Sequence, residues 1–386
     1  MRQGTFKWMK SVNKSIILNI IRSNGPISRA QIAKKTNLTP PTVSSNVKEL
    51  IEQKIVKESE LGQSQGGRKP TMLLINHQAF CIIGVDAGPE YIECIVADLS
   101  GKVMNRSETK LPLPITNQQF IAALKSCING CLEGIPEAED KIIGIGVAMH
   151  GVVKVDTGTS LYAPNIGLVN IPIKDELERA FGLEVKVEND ARAMALGEFW
   201  FGNHGELTSM LTVNIGRGVG AGLIINGKLY HGSSNIAGEI GHMTIDLHGE
   251  ICECGNRGCL QTFVTGPAIA RKVNKKTSEN PLTAEKVFEQ AIDGNEEFAA
   301  ILKESGRAMG VGLTNLIHIV NPEKIVLGGG VSKAEKFILP AILETIEASA
   351  LTPLASQTKV EVSKLGDDAT LIGAITLLMV DVFELK

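Results

Sequence analysis

The sequence predicts a mixed α/β chain in which a basic winged helix-turn-helix precedes an acidic body of two α/β lobes. Residues 1–78 hold 13 Lys and Arg against four Glu and no Asp, a net charge of +9, whereas the whole chain carries −3. One strand-and-turn pattern occurs twice in the body, and a cysteine cluster follows the second copy. At 386 residues the chain has the length of two or three domains.

The basic segment carries the periodicity of short helices. Apolar residues repeat at helical spacing over residues 16–21, and Asn24-Gly25-Pro26 ends this first helix. Ser28, with Gln31 three residues on, predicts a capping box for a second helix. Thr39-Pro40 is typical of the cap and first residue of a third. A helix-turn-helix is therefore expected.

Two strand-like runs, at residues 55–58 and 72–75, follow the third helix and are joined by a glycine-rich basic hairpin at residues 62–70. This order predicts a wing, with the third helix facing base edges and the wing tip facing phosphates. The side chains expected to contact double-stranded operator DNA are Arg29, Thr42, Ser44, Ser45 and Lys48 on the helices and Arg68 and Lys69 on the wing. A solvated basic surface and a winged helix that contacts only proteins are the alternatives.

The body repeats one pattern of strand, glycine turn, strand and hairpin, first from residue 81 and again from residue 210. Helical patterns follow each copy, at residues 117–132 in the first and at residues 284–292 and 299–319 in the second. Two α/β lobes with a ligand cleft between them are therefore expected.

Three cysteines and a histidine, namely His242, Cys252, Cys254 and Cys259, have the spacing of a metal site. Zn²⁺ prefers four such ligands, and glycines between the cysteines allow the backbone to fold back tightly. We predict a structural Zn²⁺, with three unligated thiols as the alternative. Disulfides are less favoured, because seven scattered cysteines without a secretory leader point to a reducing cytoplasm. No apolar run reaches the roughly 20 residues of a membrane span, so no membrane association is expected.

Together these segments resemble the ROK family of sugar kinases and sugar-responsive repressors, over nearly the whole chain. The resemblance rests on residues 66–70, 163–165, 188–191 and 238–242, the cysteine cluster and residues 327–330. It implies a two-lobed, actin-like ATPase (ribonuclease H-like) body after a winged helix-turn-helix of residues 1–78. The first lobe would cover residues 79–200 and the second, with the zinc loop, residues 201–386, with the option that the C-terminal helix returns to the first lobe.

The resemblance also implies the ligands. The zinc ligands match His242, Cys252, Cys254 and Cys259, and the sugar-binding positions match Asn165, Asn189, Asp190, Glu239 and His242. Carboxylates accept hydrogen bonds from sugar hydroxyls, and carboxamides both donate and accept. Asn189 and Asp190 also suit a strand-to-helix cap, and the two roles are compatible. Gln261 stands where the family has Glu and is included in the predicted sugar site, whereas His150 is expected to be a loop residue.

In the kinases of the family the residue that matches Asp190 is the general base, so residual kinase activity stays open. The phosphate-binding turns differ. Pro89-Glu90 stands within the first turn and Arg217 within the second, where the kinases carry Gly-Thr-Lys and Thr. Proline removes an amide donor and Glu90 repels phosphate. We therefore expect no catalytic residue and no enzyme.

The expected function is a sugar-responsive repressor of carbohydrate-utilisation genes that binds DNA as a homodimer or homotetramer. Residues 62–68 and 241–246 are most similar to the xylose repressors of the family, which favours xylose as the monosaccharide effector. N-acetylglucosamine and glucose stay open. The alternatives are a ROK-type sugar kinase with a regulatory N-terminal domain and a constitutive DNA-binding protein whose body only oligomerises.

Overall fold

The computed structural model describes residues 12–61, 70–275 and 281–383, so the predicted wing residues Arg68 and Lys69 lie outside the described residues. The chain forms two compact units. The first comprises Met1–Met149, Lys154–Glu188 and Ala374–Lys386, and the second His150–Val153 and Asn189–Gly373. Within the described ranges, no helix combines the length and the apolar character needed to cross a membrane.

The first unit starts with three helices and a small sheet in the order β1-β3-β2. These elements are α1 (Val12–Asn24), β1 (Ile27–Ser28), α2 (Arg29–Thr36), α3 (Pro40–Glu52), β2 (Val56–Leu61) and β3 (Thr71–Ile75). The predicted capping box is present: Ser28 Oγ accepts from Gln31 N at 3.3 Å, and Gln31 Oε1 accepts from Ser28 N at 3.0 Å. Thr39 caps α3. The helix-turn-helix is confirmed, and the pairing of β1 with β3 adds a third strand that the sequence did not reveal.

A five-stranded sheet in the order β11-β7-β4-β5-β6 forms the centre of the first unit. The remaining elements up to residue 189 are β4 (Cys81–Ala87), β5 (Tyr91–Asp98), β6 (Val103–Lys110), α4 (Asn117–Glu133), β7 (Ile142–Met149), β8 (Val152–Lys154), β9 (Thr159–Ala163), β10 (Leu168–Ile171), α5 (Ile173–Phe181) and β11 (Glu184–Asn189). Helix α4 packs on β5 and β6.

The second unit contains a sheet of the same topology, in the order β14-β13-β12-β15-β16. Its elements are α6 (Asp190–Phe201), β12 (Met210–Ile215), β13 (Val219–Ile225), β14 (Lys228–Tyr230), α7 (Gln261–Val264), α8 (Gly266–Asn274), α9 (Ala284–Ile292), α10 (Glu296–Val320), β15 (Lys324–Gly328), α11 (Glu335–Ser349), β16 (Lys359–Val362) and the start of α12 (Ala369–Phe383). In each sheet three consecutive antiparallel strands are extended by a parallel neighbour of the first, β7 beside β4 and β15 beside β12. The predicted duplication is confirmed.

Helix α6 packs unusually close to its neighbours, because small residues line it. A Cβ added at Gly222 of β13 would lie 2.3 Å from Ala195 Cβ, and one added at Gly373 of α12 would lie 1.9 Å from the carbonyl oxygen of Ala193. Side chains larger than hydrogen at these glycines would push α6 away from both neighbours. The position of α6 is therefore set by backbone contact.

The C-terminal end of α6 is held by a buried polar network. Glu198 Oε2 and Glu361 Oε1 each lie 2.8 Å from a ring nitrogen of His204, whose side chain is 2% exposed. Lys324 Nζ donates to Glu361 Oε1 at 2.9 Å, and Ser363 Oγ donates to Glu198. Burial raises the pKa of Glu361, but Lys324 and His204 outweigh burial and hold it below its ordinary value. The network joins α6 to β15 and β16.

We expect Lys324→Met to lower the free energy of unfolding by about 1–3 kcal/mol, because Glu361 and His204 lose a charged partner in a half-buried setting. The matched control is Lys333→Met, whose ion pair with Asp367 is largely exposed and should contribute less than about 1 kcal/mol. Urea unfolding of the two variants measures the difference. Equal losses in both would show that the network does not stabilise this end of α6.

Candidate functional site

The junction of β11 and α6 presents two polar side chains in fixed positions. Asn189 Oδ1 accepts from Arg192 N at 3.1 Å, which caps α6, and Asn189 Nδ2 donates to the carbonyl oxygen of Gly151 at 3.0 Å. Asp190 Oδ1 accepts from Asn189 Nδ2 and from Ala191 N, both at 2.9 Å. The strand-to-helix cap is confirmed. A carboxylate with two such bonds to one oxygen can still accept further hydrogen bonds through the other.

Asp190 has a second carboxylate near it, that of Glu239. Burial raises the pKa of Asp190, and the charges of His150 and Arg192 oppose that rise. Burial also raises the pKa of Glu239, the charge of Asp190 raises it further, and Arg192 lowers it. Two half-buried carboxylates near one another can accept hydrogen bonds from neighbouring hydroxyls of one polyol. Both carboxylates were predicted from the sequence, but Arg192, the cation beside them, was not.

Glu239 lies in the loop that follows β14. Gly238 has a φ of +97°, and a Cβ at this position would lie 1.9 Å from the carbonyl oxygen of Ala221, so only glycine fits. Its carbonyl oxygen accepts from Ala221 N at 2.8 Å, which ties the loop to β13. A short 3₁₀ turn, Ile240–His242, then leads from Glu239 to the first predicted metal ligand. The carboxylate and the imidazole are therefore three residues apart on one rigid turn.

The four predicted metal ligands converge: the donor atoms of His242, Cys252, Cys254 and Cys259 all lie within 4.8 Å of one another. His242 Nδ1 is 3.7 Å from Cys252 Sγ, and Cys254 Sγ is 3.7 Å from Cys259 Sγ. Tetrahedral Zn²⁺ with Zn–S bonds of about 2.3 Å has ligand–ligand edges of about 3.8 Å. The donor set and its spacing thus fit one tetrahedral metal ion.

The thiols of this cluster also differ in acidity. The backbone N–H of Asn256 lowers the pKa of Cys254 to about 7, whereas burial raises the pKa of Cys259 to about 12. Thiolates this close repel one another, so a bound cation is what allows all of them to ionise. Gln261 Nε2 donates to Cys252 Sγ at 3.2 Å. A glutamate carboxylate, which the resemblance noted above would place at this position, could not donate this hydrogen bond.

The remaining predicted residues are distributed over the first unit. Asn165 is exposed in the turn between β9 and β10. On α3, Ser44, Ser45 and Lys48 are exposed, and Thr42 is half-buried with its hydroxyl 2.8 Å from that of Thr39. Arg29 makes an ion pair of 2.9 Å with Glu58. DNA contact by Arg29 and the named side chains of α3, and sugar contact by Asn165, stay predictions.

The sequence profile of the ROK family matches residues 82–380, and that of a winged helix-turn-helix DNA-binding domain matches residues 14–57. The chain belongs to the ROK family. Over 393 residues it is 32% identical to a xylose repressor of Caldicellulosiruptor bescii, with 99% of this chain and 98% of that protein covered. It is also 32% identical to the DNA-binding transcriptional dual regulator NagC of Escherichia coli, with 97% and 94% covered.

Among solved structures, a ROK family transcriptional regulator described as a homologue of E. coli MLC superposes with a TM-score of 0.85 at 27% identity. The superposition covers 96% of this chain and 97% of that one. The predicted fold class, a winged helix-turn-helix followed by a two-lobed ROK body, is confirmed.

We expect Cys254→Ser to lose most of the bound metal and to lower the melting temperature, because one of four ligands is removed from an exposed position without opening a core cavity. Cys81→Ser, which changes a thiol outside the cluster, is the matched control and should keep about one metal ion per chain. Elemental analysis of purified protein by mass spectrometry gives the ratio. Equimolar metal in Cys254→Ser would contradict the assignment of this ligand.

Proposed function

We propose that the chain is a sugar-responsive DNA-binding transcriptional repressor of carbohydrate-utilisation genes, with xylose as its effector. One observation carries the proposal: the same chain holds a winged helix-turn-helix and two neighbouring carboxylates, those of Asp190 and Glu239. The xylose repressor and NagC, which match along almost their full length, support a repressor. At 32% identity to both, the choice of xylose rests on the motifs at residues 62–68 and 241–246.

The sugar would be held by the polar side chains singled out above, which are Asn165, Asn189, Asp190, Glu239, His242 and Gln261. Asp190 and Glu239 accept hydrogen bonds from ligand hydroxyls, and the amides supply donors. We propose that the metal is Zn²⁺ with a structural role. Coordination through His242 Nδ1 would leave Nε2 to donate to a ligand oxygen and would fix the ring. Zinc would in this way hold the turn that carries Glu239.

A ROK-type sugar kinase is the second candidate, and Asp190 favours it. Burial raises the pKa of this carboxyl, as a general base that takes a hydroxyl proton requires. The two turns expected to bind phosphate argue against a kinase. In the first, Pro89 lacks an amide donor and Glu90 is acidic, and in the second stands the bulky Arg217. Binding without efficient phosphoryl transfer is the function that these residues support best.

A thermal-shift screen of monosaccharides, with and without ATP, separates these functions. We expect D-xylose to stabilise the protein by about 2.7 kcal/mol at a hundredfold excess over Kd, and ATP to add nothing. Asp190→Asn should abolish the sugar shift, while Asp293→Asn, at an exposed position, should keep it. Sugar phosphorylation at about 1 s⁻¹ or faster would replace the repressor by the kinase. No shift with any sugar would favour the constitutive DNA-binding protein.

We further propose a symmetric homodimer, whose two winged helices match a palindromic operator. An exposed apolar surface on α10 and the segment after α11 supports it. Val311 is 38% exposed and Ile319 77% exposed on α10, and Leu351 is 82% exposed. His318, on the same helix face as Val311, accepts from Leu351 N at 3.0 Å, which joins the two segments. Large exposed apolar patches are typical of protein contact sites.

We expect Ile319→Glu to halve the mass measured by light scattering at about 10 μM, because a charge in each copy would be buried against the other. Leu113→Glu, which changes a 53% exposed leucine in the first unit, is the matched control and should leave the mass unchanged. A monomeric parent protein, or an Ile319→Glu variant of unchanged mass, would contradict the proposed surface.

A further inference from the structure

Arg192 is the largest fully buried side chain among the described residues, with 1% of its surface exposed. It lies in the first turn of α6, two residues after Asp190, and none of the roles assigned above uses it. A guanidinium keeps its charge at any ordinary pH, so its burial requires hydrogen-bond acceptors and neighbouring carboxylates. Nη1 of Arg192 has two carbonyl acceptors, and the carboxylates of Asp190 and Glu239 lie near the guanidinium.

The acceptors belong to the loop that delivers Glu239. Arg192 Nη1 donates to the carbonyl oxygen of Asn235 at 2.9 Å and lies 3.4 Å from that of Ala237. On the helix side, the backbone N–H of Arg192 donates to the cap residue Asn189. One residue therefore connects the capped start of α6 with the segment that ends at Glu239.

The other hydrogen bonds described for this loop run within the loop and to the sheet. Asn235 adopts a left-handed φ of +58°, a conformation that asparagine accepts more readily than most residues. Ala237 N donates to the carbonyl oxygen of His231 at 3.1 Å, and Gly238 bonds to β13. These bonds fix the loop to itself and to the sheet, whereas the bonds of Arg192 fix it to α6. Without the guanidinium, inward-facing carbonyl groups would lose a charged donor.

Arg192 acts on the site through its charge as well as through its hydrogen bonds to the loop. Burial raises the pKa of Asp190, and the charges of His150 and Arg192 oppose that rise, which favours the carboxylate form that accepts from a hydroxyl. An apolar residue of similar size would remove both the charge and the two carbonyl contacts. A lysine would keep the charge, but its shorter side chain would not reach both carbonyl groups.

We propose that Arg192 is the positioning residue of the sugar site: by holding the loop of Asn235 and Ala237 on α6, it sets Glu239 at the distance from Asp190 that one sugar needs. The inference rests on the proposed sugar-binding function for its consequence, but not for the loop contact itself. Arg192 acts through Glu239 and need not touch the sugar.

The test compares Arg192→Met, Arg192→Lys and the control Met194→Ala in the full chain. Met194 is equally buried on the same helix, but packs towards Gly328 of β15 instead of the loop. Hydrogen exchange of residues 231–239 without sugar reports loop order, and calorimetry with D-xylose and with N-acetyl-D-glucosamine reports affinity. We expect Arg192→Met to exchange at least about tenfold faster in this loop and to bind sugar about 10- to 100-fold more weakly.

Arg192→Lys should recover part of the sugar affinity, because its ammonium restores the charge and one hydrogen bond, and Met194→Ala should keep both loop protection and affinity despite a lower melting temperature. Unchanged exchange of residues 231–239 in Arg192→Met would overturn the positioning role. If Met194→Ala lost as much loop protection and sugar affinity as Arg192→Met, the positioning role would be overturned too, since general destabilisation would explain both losses. If the parent protein binds neither sugar, the proposed effector fails, and loop exchange still decides the role of Arg192.

Discussion

The close backbone packing of α6 is the constraint on which the rest of the second unit depends. The alanines of this helix meet Gly222 of β13 on one side and Gly373 of α12 on the other, at separations that exclude any Cβ on those glycines. Packed interiors transmit shifts instead of absorbing them. Any displacement of α6 would therefore move the residues at both of its ends and the helix α12 beside it.

Each end of α6 has its own polar anchor. At the start, Asn189 caps the helix and Asp190 receives two hydrogen bonds that fix its carboxylate. At the other end, Glu198 joins the network of His204. A ligand that draws Asp190 and Glu239 together would act on a helix that cannot deform locally. Phosphoryl transfer also needs phosphate-binding turns, and the proposed function rests in part on Pro89 and Arg217, which stand at the positions expected for those turns.

Local chemistry could be predicted from the sequence, and distant contacts could not. The caps at Ser28, Thr39 and Asn189 were predicted because each depends on residues within one helical turn. The cysteine cluster was predicted because its spacing nearly determines the ligand geometry. The contact of Arg192 with Ala237 was not, since the two residues are 45 positions apart and arginine on a helix normally faces water. The network of His204 joins three separate segments and leaves no periodic pattern.

The proposed function requires that sugar binding and DNA binding are coupled in this one chain. Thermodynamic linkage makes the coupling reciprocal: DNA changes the affinity for sugar by the same factor as sugar changes the affinity for DNA. The affinity for sugar alone therefore measures the coupling. The direct measurement is the Kd for D-xylose, determined by calorimetry with and without a saturating duplex that the protein selects from a random library. We expect the duplex to change this Kd at least about fivefold. Tight xylose binding with the same Kd in the presence and in the absence of the duplex would contradict this coupling.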